Sequence, residues 1–289
     1  MCSSSLSGLV LLGLIAATAS AAEIWTDIGG TIAKFDSTNP GVVTYIGPTG
    51  ELPMDGMDFT PAGTLYGVAD QELFIINQTS GAVQSLGVSQ LGSGEIYMDI
   101  SWDPLTQTMY GITSSSPTHL YQINLSNAAA TLVGAVNVPS PGWSGGLATT
   151  TAGVRYIDHS EQDGMYRLDG LNGTFLGPEG LDYSFFGGMT IDWSRDGTLY
   201  HATWNQTALR TELWTVDLTT GAGTLLGAIG QQTLLLSAAI QPVPEPGGLA
   251  AVALLAACLR RRRGLFRRHQ PVRRTTDRVV TRQAWRGRF

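Results

Sequence analysis

The body of this 289-residue chain has no cysteine; the two present, Cys2 and Cys258, lie inside or beside apolar terminal segments. Disulfides, thiolate catalysis and cysteine-containing zinc sites are thereby excluded from it. Positive charge is almost as scarce. Residues Glu23 to Val243 carry one Lys and four Arg against 21 Asp and Glu, a net charge of −16. Such a body does not bind nucleic acid through its phosphates and repels anionic polymers, but neutral glycans and divalent cations are not repelled. Within the body, histidine is confined to His119, His159 and His201, in no H-E-x-x-H spacing, and neither a phosphate-cradling nor a dinucleotide-binding glycine loop occurs in strand-helix context. Nucleotide chemistry is set aside, and no cofactor or metal is expected. Capped helical periodicity is also missing from the body. What is there is glycine, 36 residues of it, and 43% hydrophobic residues, the composition of a turn-rich globular chain.

Self-similarity organises the body. Four segments share a short aliphatic-aromatic run ending in Asn or Asp: "ELFIIN" at Glu72, "HLYQIN" at His119, "GMYRLD" at Gly164 and "ELWTVD" at Glu212, with "TIAKFD" at Thr31 as a looser fifth. Their last residues, Asp36, Asn77, Asn124, Asp169 and Asp217, are 41, 47, 45 and 48 residues apart. Turn residues follow each one, and then a strand ending near Gly, such as "AVQSLG" or "GTLLG". Upstream recur "GTLYG", "QTMYG", "GVRYI" and "GTLYH", and before those "GMDF", "MDISW", "GGLAT" and "GMTIDW". Each unit reads as four strands at the spacing of a propeller blade. Glu23 to Gly47 supplies three strands without the first, and "TLLLSAAI" at Thr233 to Ile240 supplies a lone one. The expectation is an all-β, five-bladed propeller with one blade shared between the termini, so that no sheet edge stays open at the junction. A β-sandwich is the competing architecture. Gly145-Gly146 and Gly187-Gly188 are expected where first strands crowd the axis, and His119 and His201 in aligned strand positions.

The two ends carry different signals. An apolar run followed by Ala19-Ser20-Ala21 reads as a secretory signal peptide over residues 1–22. At the far end, "VPEPGGLAAVALLAACLRRRR" sets Pro244-Glu245-Pro246 before an apolar span and then Arg260, Arg261, Arg262 and Arg263. Arginines after an apolar segment stay cytoplasmic, which puts the body, residues 23–241, outside. The span from Gly247 to Leu259 is short for a bilayer, and snorkelling and local thinning reduce the mismatch.

This arrangement resembles the PEP-CTERM sorting signal of Gram-negative bacteria, here over residues 242–263. The resemblance implies an N-terminal signal helix, a short C-terminal membrane helix, transient residence in the inner membrane, and cleavage near Pro244-Glu245-Pro246 by an exosortase. It also implies delivery to the cell surface or extracellular polymer matrix, with extracellular polysaccharide or another surface protein as partner. One departure is the continuation over residues 264–289, since such signals normally stop soon after the basic cluster. This basic stretch reads as a disordered cytoplasmic tail discarded on processing or as an over-extended reading frame; contact with RNA or anionic lipid is the alternative.

Catalytic patterns in the body are weak. "GWSGG" at Gly142 to Gly146 matches G-x-S-x-G, yet a strand and turn follow Ser144 instead of a helix. The acidic stretches Asp158 to Gly164 and Asp55 to Asp58 lack calcium-loop spacing. If the fold carries a ligand site, propeller geometry puts it where the loops entering the first strands meet, which nominates Asp55, Glu95, Trp143, Tyr183 and Phe185. Aromatic rings beside carboxylates suit a sugar or a peptide. The expectation is a non-enzymatic surface or matrix protein; the alternatives are a secreted hydrolase or lyase using axial carboxylates on a glycan or lactone, and a permanently anchored protein with an RNA-contacting tail.

Overall fold

The computed structural model describes residues 21–50, 53–138, 144–159, 163–180, 187–230 and 237–243. Pro244, Glu245, Pro246 and Arg260 to Arg263 of the expected sorting segment, the expected helices at both ends, and Trp143, Tyr183 and Phe185 lie outside them. No helix among the described residues is long and apolar enough to cross a membrane.

Five antiparallel sheets of four strands make up the fold. Blade 1 joins β1 (Glu23–Asp27), β2 (Thr31–Asp36) and β3 (Asn39–Pro48) to β20 (Ala239–Ile240) as its innermost strand. Blade 2 is β4 (Gly56–Phe59), β5 (Leu65–Ala69), β6 (Glu72–Ile76) and β7 (Val83–Val88). Blade 3 is β8 (Tyr97–Asp103), β9 (Thr108–Thr113), β10 (His119–Ile123) and β11 (Ala130–Ala135). Blade 4 is β12 (Leu147–Thr149), β13 (Arg155–His159), β14 (Gly164–Asp169) and β15 (Asn172–Pro178), and blade 5 is β16 (Gly187–Ile191), β17 (Leu199–Asn205), β18 (Arg210–Val216) and β19 (Gly223–Ala228). This is the five-bladed propeller that the repeat predicts, closed by the pairing of Trp25 with Ala239 and Ile24 with Ile240.

The recurring Asn or Asp has a local cause. Asn77 Oδ1 accepts the backbone N–H groups of Thr79 and Ser80 at 2.9 and 3.0 Å, and Asp217 Oδ1 accepts those of Thr219 and Thr220 at 2.8 and 2.9 Å. Each such Asx turn satisfies amides that have left the ladder and swings the chain into the outer strand. The register shifts at one equivalent place in every blade: Ile32/Ala33, Leu73/Phe74, Leu120/Tyr121, Met165/Tyr166 and Leu213/Trp214. These bulges bend the outer strands and interrupt their exposed edges.

Burial follows the blade interfaces. Five apolar clusters form, one per interface: Leu73 packs with Tyr97 and Ile100 of blade 3, Leu213 with Ile24 and Ile240 of blade 1, and Phe74 with Trp25 of blade 1. Alternate residues of one strand thus face opposite neighbours, as the period of two requires. Near the axis, a Cβ on Gly56 would lie 2.6 Å from the Asp99 Cα, one on Gly146 would meet the Met189 side chain 2.6 Å away, and one on Gly188 would strike the Ser237–Ala238 backbone. Gly187 and Gly188 are therefore part of β16 itself. The two histidines thought to be aligned are not: His119 opens a third strand, β10, whereas His201 sits within a second strand, β17.

Candidate functional site

Every first strand begins at the same end of the ring, here called the mouth, where the turns between second and third strands also gather; the opposite end is the base. Both chain termini of the body are at the base. Gln241 N–H donates to the Glu23 carbonyl at 3.2 Å, and Val243 N–H donates to Ser194 Oγ, in the β16–β17 turn, at 3.1 Å.

An innermost strand has one edge without a strand partner, and its amides point to the axis. Two aspartates answer them. Asp58 Oδ2 accepts the Trp102 N–H at 2.7 Å, and Asp99 Oδ2 accepts those of Leu147 at 2.9 Å and Met189 at 3.2 Å. Asp99 thus ties three blades together across the centre. Burial pushes Asp58 up to about 7 and Asp99 well above the ordinary carboxylate range, against the pull of the amides they accept. Neither was singled out from the sequence. The available signal was the Met-Asp shared by "GMDF" and "MDISW", although the two carboxylates stand two residues apart in register: Asp58 lies opposite Tyr66, whose blade 3 counterpart Tyr110 faces Ser101, and Asp99 lies opposite Ile112.

Asp55 and Glu95 do lie at the mouth, but in separate settings. Asp55 Oδ2 accepts the Asp70 N–H at 2.8 Å; burial, then the charges of Asp70 and Asp27, lift it to about 6. Glu95 instead turns to blade 3, with Tyr121 Oη donating at 2.8 Å and His119 Nδ1 at 2.5 Å. Burial works to raise its carboxyl, but Tyr121 and His119 outweigh it and hold the group low. Both carboxylates are thus occupied in fixing neighbouring segments.

A third cluster escaped the sequence reading. His201, 1% exposed, has Glu179 Oε2 at 2.7 Å from Nδ1 and Asp158 Oδ2 at 3.8 Å from Nε2. Burial disfavours the imidazolium, yet the two carboxylates overcome it and bring His201 up to about 9. Asp158 also accepts the N–H groups of Gly145, at 2.9 Å, and Gly146. It substitutes for a ladder partner at the entry of β12 and is itself lifted by burial to about 6. Contact among these residues depends on how blade 4 packs against blade 5, which spacing along the chain does not reveal. Ser144 is fully buried and is followed by strand β12, not by the helix that a nucleophile elbow requires. Among the described residues, no three His, Cys, Asp or Glu side chains converge as a metal would require.

No protein-family model and no curated protein matches the chain. Solved structures do resemble it. A protein of unknown function from Bacteroides thetaiotaomicron aligns with 13% identity and TM-score 0.51 over 78% of this chain and 68% of its own. A structure described as the de novo evolutionary emergence of a symmetrical protein aligns with 17% identity and TM-score 0.50 over 78% of this chain and all of its own. Regucalcin from Agrobacterium tumefaciens, a calcium-binding protein, aligns at 15% identity and TM-score 0.40, over 66% of this chain and 68% of its own. The first two likenesses show the propeller fold alone; none transfers an activity.

Proposed function

We propose that this chain is an exported, non-enzymatic propeller of a Gram-negative cell surface or extracellular matrix. It is held briefly in the inner membrane by its C-terminal segment and released by an exosortase near Pro244-Glu245-Pro246. The observation that carries this reading is the shared exit of the chain ends, with Gln241 N–H bonded to the Glu23 carbonyl at 3.2 Å. A leader before Glu23 and a sorting segment after Val243 both attach at the base, which leaves the mouth for a partner. Mass spectrometry of the surface fraction tests it: the expected product ends near Pro244, and a cytosolic protein with both ends intact overturns the reading.

The non-enzymatic part is supported by how the carboxylates are used. Asp58, Asp99 and Asp158 accept backbone amides, and Asp55 and Glu95 hold a turn and two ring side chains. The Glu179–His201–Asp158 array favours a second reading, a hydrolase or lyase, because a histidine between two carboxylates can carry a proton. A panel of sugar esters, lactones and glycosides separates the two. Turnover lost on His201→Gln or Glu179→Gln favours the enzyme, and binding without turnover favours the module.

A further inference from the structure

A cleft of about 430 Å³ opens at the mouth end of blade 2, beside its link to blade 3, lined by Asp70, Gln71, Glu72, Phe74, Val88 and Ile96. Its polar wall is the two-residue turn joining β5 to β6, and that turn is held from several sides. Asp55 takes the Asp70 N–H at 2.8 Å, the Asp70 carbonyl accepts Tyr97 N–H at 2.7 Å, and the Gln71 carbonyl accepts Ser89 N–H at 2.8 Å. The Gln71 amide donates to the Glu95 carbonyl at 2.8 Å. A wall fixed in this way loses little conformational freedom when something binds to it.

The electrostatics of this sector are one-sided. From Lys34 to Arg155 the chain has no Lys or Arg, so blades 2 and 3 contribute Asp55, Asp58, Asp70, Glu72, Glu95, Asp99 and Asp103 without a basic residue of their own. Lys34 is paired with Glu23 at 2.9 Å, and Arg155, which reaches blade 3, is paired with Asp103 at 2.7 Å; both pairs are at the base. At the cleft, Asp70 is exposed, Glu72 is touched by the Ser85 hydroxyl, and Val88, 57% exposed, and Ile96 add apolar surface. The complement to this lining is a cation on a partly apolar body. A bare metal ion does not fit, since no three ligating side chains converge among the described residues. The volume falls within the roughly 300 to 1,000 Å³ of small organic ligand sites and is wider than a linear alkylammonium needs.

We infer that this cleft binds an amino sugar with a free amine, its ammonium held by Asp70 and Glu72 and its ring laid on Val88 and Ile96. The inference rests on the binding reading for the kind of partner, whereas the site follows from the cleft. The test is calorimetric titration of the full-length chain in detergent with a β-1,4-linked glucosamine tetramer and its N-acetylated counterpart, which has the same rings without the charge. The glucosamine tetramer is expected to bind at least about tenfold more tightly, the scale of one charge-assisted hydrogen bond. The double variant Asp70→Asn/Glu72→Gln, altered at the rim of the fold, is expected to lose about that factor with an unchanged melting temperature. Asp169→Asn, at the base, is expected to bind as the parent does. Equal affinity for the two tetramers, or an equal loss in the base variant, overturns the inference, and tighter binding of trilysine replaces the sugar with a peptide. None of these results bears on processing near Pro244, which the mass measurement judges separately.

Discussion

Met189 and Asp99, ninety residues apart in sequence, meet across the propeller axis, the Met189 N–H donating to Asp99 Oδ2 at 3.2 Å. The same oxygen takes the Leu147 amide at 2.9 Å. Asp99→Ala leaves these buried donors without a partner, and an unmatched buried donor costs about 1 to 3 kcal/mol. Removing a carboxyl that is itself unfavourably buried offsets part of that, so a net loss of about 2 kcal/mol is expected by urea denaturation. Asp99→Asn keeps an acceptor oxygen and is expected to cost less.

Gly56 faces backbone, not a movable side chain: its Cβ would lie 2.6 Å from the Asp99 Cα and 2.7 Å from the Ile100 nitrogen. Gly56→Ala therefore forces two first strands apart and is expected to cost about 3 kcal/mol, at the upper end for an overpacked site. Gly63→Ala supplies the contrast. Nothing lies within 4 Å of a Cβ there, and only the backbone preference at φ 77° opposes it, so a smaller loss is expected in the same denaturation series.

The pH dependence of stability has a defined sign. Asp55, Asp58 and Asp158 titrate at about 6, 7 and 6 in the native chain, above the 3.8 they return to on unfolding. The native state thus holds more protons in that window, and stability rises as pH falls from 7 towards 5. His201, raised from 6.5 to about 9, adds stability that is complete below 6.5 and lost as pH climbs through 9. Glu95 acts in the opposite sense, its contribution present above 4.5 and lost as pH falls through its lower native value. Thermal scans are expected to show the highest Tm near pH 5 and a falling Tm towards pH 9; a maximum at pH 8 would contradict the assignment.

Deleting residues 237–243 removes β20, the Ser237 carbonyl that accepts Thr26 Oγ1 at 2.7 Å, and the cover over Ile24. With Ala238, Ala239 and Ile240 no longer buried, a loss of about 3 to 5 kcal/mol is expected by denaturant titration, together with dye binding at the opened seam.

The blades were legible because an Asn or Asp opens the turn into each outer strand at intervals of 41 to 48 residues, and the missing first strand of blade 1 announced its own replacement at Ile240. The axial aspartates were not. An Asp in a strand ordinarily marks a solvent face, and the amides that Asp58 and Asp99 serve belong to other blades. Asp55 and Glu95 both precede first strands, yet each turns to a different neighbour, a matter of side-chain geometry that loop position leaves open. Asp158 and the segment just after β15 that carries Glu179 belong to one repeat and His201 to the next, and only the packing of blade 4 against blade 5 brings the three within reach.

A ring whose earliest strand waits for its latest has a consequence for assembly. Ile24 and Trp25 are synthesised before the other blades, and their partners Ile240 and Ala239 come more than two hundred residues later. Until then the nascent chain is an arc with an open seam, and folding is completed by one long-range closure, the slowest kind of contact to form. Whatever brings residue 240 to residue 24 therefore sets the moment at which this molecule becomes whole.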